Sequence, residues 1–194
     1  MKVVELDAGS RWDDFVRASI NGTLFHTLRF LGYHPEKRFE FINLGFVDDG
    51  DLVCVIPGGR VKGESGYRFR SPVGASFGGP VLAQSDLKVI EEVMGTFQAW
   101  LVSEGFSGCE LVLPPPCYWK RWDEALEFAL ISAGYHLVSM DATAVVDLSS
   151  FERSELKPVL QRNLRKAEKS GVTVRTSGDP TAFYDVLLRS LAIK

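Results

Sequence analysis

Apolar and polar residues alternate along the early part of this chain and recur at helical spacing through most of the rest. Residues 39–47 carry the period of a strand, with Phe39, Phe41 and Asn43 on one face and Glu40, Ile42 and Leu44 on the other. Asp48-Asp49-Gly50-Asp51 reads as a hairpin turn after it, and residues 52–61 as the returning strand, interrupted or bent at Pro57-Gly58-Gly59. A turn over residues 63–66 and a short strand over 67–70 complete a meander. Residues 2–6 form a first short strand ahead of it.

Helical spacing marks the other elements. Trp12, Phe15, Val16 and Ser19 share one face of a helix whose expected N-cap is Ser10. A second short helix is expected over 27–33, ahead of Pro35. Ile90, Val93, Met94, Phe97 and Leu101 form the buried stripe of a long helix that starts at Ser85 or Asp86 and closes at Gly105. Residues 109–113 read as a buried central strand, ended by Pro114-Pro115-Pro116. Leu126, Ala129 and Leu130 face inward on a helix over 123–133, and a long strand or bent pair of strands follows over 135–148. The expected class is α/β: a mixed, mostly antiparallel sheet flanked by helices.

From about residue 150 the pattern starts again as helix, strand, helix. The expected division is a first domain over 1–150 and the start of a second, similar domain over 151–194. That remainder is too short to bury a core alone, so either its elements pack onto the first unit or the chain is the front part of a longer protein, the reading favoured here.

Between the two halves of the first domain lies Ser71-Pro72-Val73-Gly74-Ala75-Ser76-Phe77-Gly78-Gly79-Pro80. Its three glycines and two prolines exclude a helix or a central strand. Gly74-Ala75-Ser76-Phe77-Gly78 matches the GxSxG of a nucleophile elbow, and Asp123 and His136 follow in hydrolase order. The elbow needs a helix directly after the turn, and Gly79-Pro80 stands there instead. A serine hydrolase is therefore the weakest reading. A plain surface turn and a ligand-lining loop remain. In the latter, Ser71, Pro72, Gly74, Ser76, Gly78 and Gly79 line the site, and backbone N–H groups exposed by the glycines approach an anion.

Charge adds a second candidate. The chain carries a net charge of −3, but residues 153–175 hold seven Lys/Arg and two Asp/Glu, a local +5 on a remainder of −8. Arg162, Arg165, Lys166 and Lys169 fall on one helical face opposite Leu160, Leu164 and Ala167. This face is either a solvated surface or an anion site. One basic segment on an acidic body does not suit a DNA binder. Cys54, Cys109 and Cys117 lack metal-ligand or disulfide spacing and read as buried thiols; no metal site is expected. His26 reads as a capping or packing residue. No apolar run is long enough for a membrane span, and acidic residues come too early for a signal peptide, so a cytoplasmic protein is expected.

Three stretches together resemble FemAB-type proteins. They are Trp12-x-x-Phe15-Val16 with Gly22-Thr23-Leu24-Phe25-His26-Thr27 and Phe30-Leu31, then the glycine-rich stretch of residues 71–80, then Arg162-Asn163-Leu164-Arg165-Lys166-Ala167-Glu168-Lys169-Ser170-Gly171-Val172 with Phe183-Tyr184. The resemblance implies two GNAT-like acyltransferase domains. It implies acyl or aminoacyl transfer to an amine of a cell-envelope or polysaccharide precursor such as peptidoglycan, with this chain giving the acceptor-binding half. The implied partner is a small-molecule or lipid-linked anionic acceptor, with acyl-CoA or aminoacyl-tRNA as donor. The alternative is a non-catalytic GNAT-like module that binds an anionic nucleotide-sugar. The GNAT pyrophosphate loop is absent, and the proline run stands in its place, so no cofactor is expected on this portion. Backbone N–H groups of residues 76–79 could stabilise an oxyanion, and Asp141 or Asp147 could accept a proton. No catalytic residue is assigned.

Overall fold

The computed structural model describes residues 1–7, 11–121 and 123–192. It divides into two compact units, Met1–Thr143 and Ala144–Lys194.

The first unit is built on a mixed sheet, antiparallel except for one pair. Strands β1 (Lys2–Glu5), β2 (Glu40–Asp48), β3 (Asp51–Gly63), β4 (Gly66–Ser71) and β6 (Gly108–Leu111) lie side by side in that order. The two-residue β5 (Val81–Leu82) pairs with β3 further along. Only β4 and β6 run parallel. The α/β class and the mainly antiparallel sheet are those expected. The Asp49-Gly50 turn takes positive φ at both positions, as a tight hairpin requires.

Pro57 lies inside β3, opposite Asn43, and does not interrupt the strand. The reason lies in what flanks β3. On the side away from β2, β5 pairs with residues 54–55 and β4 with residues 59–63, so Pro57 falls in the gap. Its carbonyl accepts from the Ser71 hydroxyl on that side. The N–H that proline lacks would point the same way, where no strand needs it.

Both sheet faces are covered. On one face Leu44, Phe46, Cys54, Ile56 and Phe69 pack against Ile90, Val93, Met94 and Phe97 of α3 (Leu87–Ser103) and Leu126, Ala129 and Leu130 of α4 (Ala125–Ser132). On the other, Val55 and Val81 pack against Trp12 and Val16 of α1 (Trp12–Ala18). Both helical stripes are the ones read from spacing. The expected cap of α1, Ser10, lies outside the described residues. Asp86 caps α3 by accepting from the Lys88 and Val89 amides. Asp86→Ala should therefore lower stability by about 1 kcal/mol, read from a urea midpoint. Gly105 and Gly134 end α3 and α4 with positive φ and paired amide bonds back into the last turn.

Two strand expectations fail. Residues 109–113 were expected at the centre of the sheet, yet β6 ends the strand order and is only half-buried. Residues 136–147 form no strand, and their apolar side chains are exposed.

The second unit contains α5 (Pro158–Lys169) and α6 (Pro180–Ala192). Pro158 occupies the first turn of α5 and Gly171 closes it. The strand expected over 172–175 does not form, and none of the unit's described residues is buried.

Candidate functional site

The loop after β4 is held from both sides. It begins with a cis Ser71-Pro72 peptide. The Ser71 hydroxyl donates to the Pro57 carbonyl and accepts from the Gly79 amide at 2.7 Å. The Gly78 amide donates to the Val112 carbonyl at 2.8 Å, and the Val112 amide donates to the Ser71 carbonyl at 2.7 Å. Residues 78–79 are thus stitched between the ends of β4 and β6. This corrects the expected role of their amides: those of Gly78 and Gly79 serve the fold and do not face a ligand. Gly74 and Gly79 have positive φ, while Gly78 is a matter of space.

Ser76 is exposed, and β5 rather than a helix follows the loop. Asp123 lies just ahead of α4 and accepts from the Ala125 amide at 2.7 Å, and His136 is exposed. Strand, turn and helix do not meet at Ser76, so the nucleophile-elbow reading falls.

The segment over residues 23–34 meets the loop through two histidines. The Thr23 amide donates to Nδ1 of buried His26 at 3.0 Å, which fixes the proton on Nε2. That nitrogen then donates to the Gly78 carbonyl at 3.0 Å. Burial draws the His26 pKa down, against the two backbone bonds that would raise it. His34 Nε2 lies 2.7 Å from the Gly74 carbonyl. Trp12 Nε1 donates to the His26 carbonyl at 2.7 Å. Phe77 meets Phe25 edge-on at 5.5 Å between centroids, and Phe25 meets Phe30 at 5.1 Å. Loop and segment therefore form one wall. The capping role expected for His26 holds, and its bond to a residue 52 positions away adds to it.

Beside this wall lies an open groove of about 920 Å³ that sequence reasoning missed. Asp13 and Arg17 of α1, Thr23, and Thr27, Arg29, Phe30 and Tyr33 in and around α2 (Leu28–Leu31) line it. The Asp13 carboxylate accepts from the Leu28 amide at 2.7 Å and so fixes the start of α2. The groove thus carries two guanidiniums, of which that of Arg17 is paired with Asp14, three hydroxyls and two aromatic rings. The only signal in the sequence was two pairs at four-residue spacing, Asp13 with Arg17 and Arg29 with Tyr33.

Arg162, Arg165 and Lys166 lie on α5 in the second unit, all exposed. Arg165 Nη2 reaches Gln161 Oε1 at 3.4 Å, and Arg153 pairs with Glu168 at 2.6 Å. The loop and these residues belong to different units, and each is a candidate by itself. Of the two proton acceptors considered, Asp147 receives bonds from the Ser149 hydroxyl at 2.7 Å and amide at 2.9 Å. These lower its pKa and favour the carboxylate, which weakens it as a base. Cys54 is buried and Cys109 half-buried; burial pushes the Cys109 thiol up to about 12. Cys117 is exposed, unlike the expectation, because it sits on the short turn Pro116–Tyr118. Among the described residues no three His, Cys, Asp or Glu side chains are grouped to hold a metal, and no helix is long and apolar enough to cross a membrane.

No family model matches this chain, and no curated protein matches it. Among solved structures, three that are distantly similar are described. TTHA1254 from Thermus thermophilus, in a point-mutant form, is 12% identical with a TM-score of 0.46, covering 75% of this chain and 97% of that one. Its wild type is 14% identical with a TM-score of 0.44, covering 78% and 100%. An aminoglycoside acetyltransferase, HMB0005, from an uncultured soil metagenomic sample is 13% identical with a TM-score of 0.39, covering 74% and 98%. Likenesses this loose carry no argument about the site.

Proposed function

We propose that this chain belongs to an N-acyltransferase of FemAB type, with GNAT-like architecture, and that its first unit holds the acceptor. The observation that carries the reading is the wall of residues 23–34 and 71–79 beside an open groove lined by Arg17, Arg29, Thr23, Thr27, Phe30 and Tyr33. The reaction moves an acyl or aminoacyl group from a thioester or ester donor to an amine. The amine loses a proton, and the donor leaves as thiol or alcohol. Such chemistry needs an acceptor held still, and a rigid wall with cationic and aromatic side chains suits an anionic, sugar-bearing one. Residues 114–116 follow β6 where a pyrophosphate loop would stand, so the donor, acyl-CoA or aminoacyl-tRNA, is assigned away from this wall. The cell-envelope precursor and the contribution of Arg162, Arg165 and Lys166 rest on the sequence resemblance.

The second reading, a binding module without chemistry, uses the same groove. A thermal-shift panel with acyl-coenzyme A, aminoacyl-tRNA and UDP-sugars tests both. A UDP-sugar should raise the melting temperature of the wild type, and Arg17→Ala with Arg29→Ala should weaken its binding about tenfold. Arg162→Ala with Arg165→Ala reports separately on the basic helix. If no probe stabilises the protein, both readings fall. If the UDP-sugar alone does and no acyl transfer to an amine is detected, the module remains.

A further inference from the structure

His26 and His34 both tie the segment over residues 23–34 to the glycine-rich loop, but they use their ring nitrogens differently. His26 is buried and engages both, one with the Thr23 amide and one with the Gly78 carbonyl. His34 is half-buried and engages one. A carbonyl only accepts, so Nε2, 2.7 Å from the Gly74 oxygen, carries the proton. Nδ1 of the neutral ring is then a bare lone pair. Among the described residues it has no hydrogen-bond partner, and it is not shut away from solvent as the unpaired Nε1 of Trp119 is.

The surroundings fix this ring. Tyr33 stacks on it at 3.9 Å between centroids, and Phe39 meets it edge-on at 4.8 Å. Gly74 makes its approach to the loop possible, since a Cβ there would lie 2.2 Å from Nε2 and 2.7 Å from Cδ2. Tyr33 also lines the groove, so the imidazole stands at its margin. The two carboxylates on this side of α1 are already engaged. Asp13 accepts from the Leu28 and Arg29 amides at 2.7 and 3.3 Å, and Asp14 pairs with Arg17. An imidazole whose N–H is held by a fixed acceptor while its other nitrogen stays free is the arrangement of a general base.

We infer that His34 is the proton acceptor for the amine in the acyl transfer proposed above, a reading on which this role rests. The amine nitrogen attacks the carbonyl carbon of the thioester or ester donor. The new C–N bond forms and the C–S or C–O bond breaks. The amine proton passes to Nδ1 and from there to the leaving sulfur or oxygen, which returns the ring to its neutral form. The Gly74 carbonyl holds the proton on Nε2 throughout and faces the positive charge that the ring carries in between.

Side-chain nitrogen NMR of the histidines reads the tautomer without any substrate. His34 in the wild type should show a protonated Nε2 and a bare Nδ1, and a neutral ring with its proton on Nδ1 overturns the role. Acyl transfer is then measured with acetyl-coenzyme A or an aminoacyl-tRNA as donor and UDP-glucosamine as the amine. His34→Ala should lower kcat on the order of 100-fold and leave the KM for UDP-glucosamine within about threefold. Its thermal melting should show it folded, and added imidazole should restore part of the rate. A wild type that transfers nothing overturns the acyltransferase reading and this role with it. An active wild type whose His34→Ala variant keeps its rate, or loses it without rescue by imidazole, overturns the role alone.

Discussion

Gly78→Val should cost about 4 kcal/mol of stability, while Ser76→Ala, two residues away, should stay within about 0.5 kcal/mol. A Cβ at position 78 would lie 2.5 Å from the Pro72 nitrogen and 2.6 Å from both the carbonyl carbon and the hydroxyl of Ser71. Two of these are backbone atoms, so no rotamer change relieves the contact. The backbone could only move by giving up bonds. Those are Gly78 to Val112 at 2.8 Å, His26 to Gly78 at 3.0 Å and Gly79 to Ser71 at 2.7 Å. Valine's branched side chain adds to the crowding. Ser76 by contrast is exposed. Urea unfolding of the two variants decides the matter. A stable Gly78→Val protein with an impaired Ser76→Ala protein would reverse the assignment and restore a chemical role to the serine hydroxyl.

The same glycine shows what was legible in the sequence and what was not. That residues 71–80 form a loop followed from three glycines and two prolines, which is local information. So did α1, α3, α4 and α5, because their apolar stripes and closing glycines lie within a few turns of one another. The hairpin at Asp49-Gly50 was equally local. What Gly78 touches was not local. Val112 and His26 are 34 and 52 residues away, and no periodicity reports such a meeting. The loop's amides were read as free for an anion for that reason. Pro57 misled in the same way. Its bend was argued from the residue itself, whereas its tolerance depends on β4 and β5 parting beside it. The groove was illegible because Arg17, Arg29 and Tyr33 look like ordinary surface residues of two helices until α1 and α2 are set side by side. The alternation over residues 138–143 is the opposite case, a strand signal that the pairing described for the sheet does not use.

His26→Ala should lower stability by about 3 kcal/mol and change its pH dependence. The imidazole is buried and joins three parts of the first unit. It accepts from Thr23, donates to Gly78, and lies beneath the bond from Trp12 to its own carbonyl. Removing the ring leaves the Gly78 carbonyl and the Thr23 amide short of a partner and opens a cavity beside the loop. The pH effect follows from protonation. In the unfolded chain a histidine takes up its proton near pH 6.5, while in the fold burial draws that value lower. Between the two values the unfolded chain binds more protons, so stability rises with pH there. The contribution of His26 is therefore complete above about pH 6.5 and is lost as pH falls from there through the folded value. Urea midpoints of the wild type should drop from pH 7.5 to pH 5.5 more than those of His26→Ala. Equal drops in the two proteins would show that His26 binds its proton alike in both states, and that the neutral bridge from Thr23 to Gly78 is not what holds the loop.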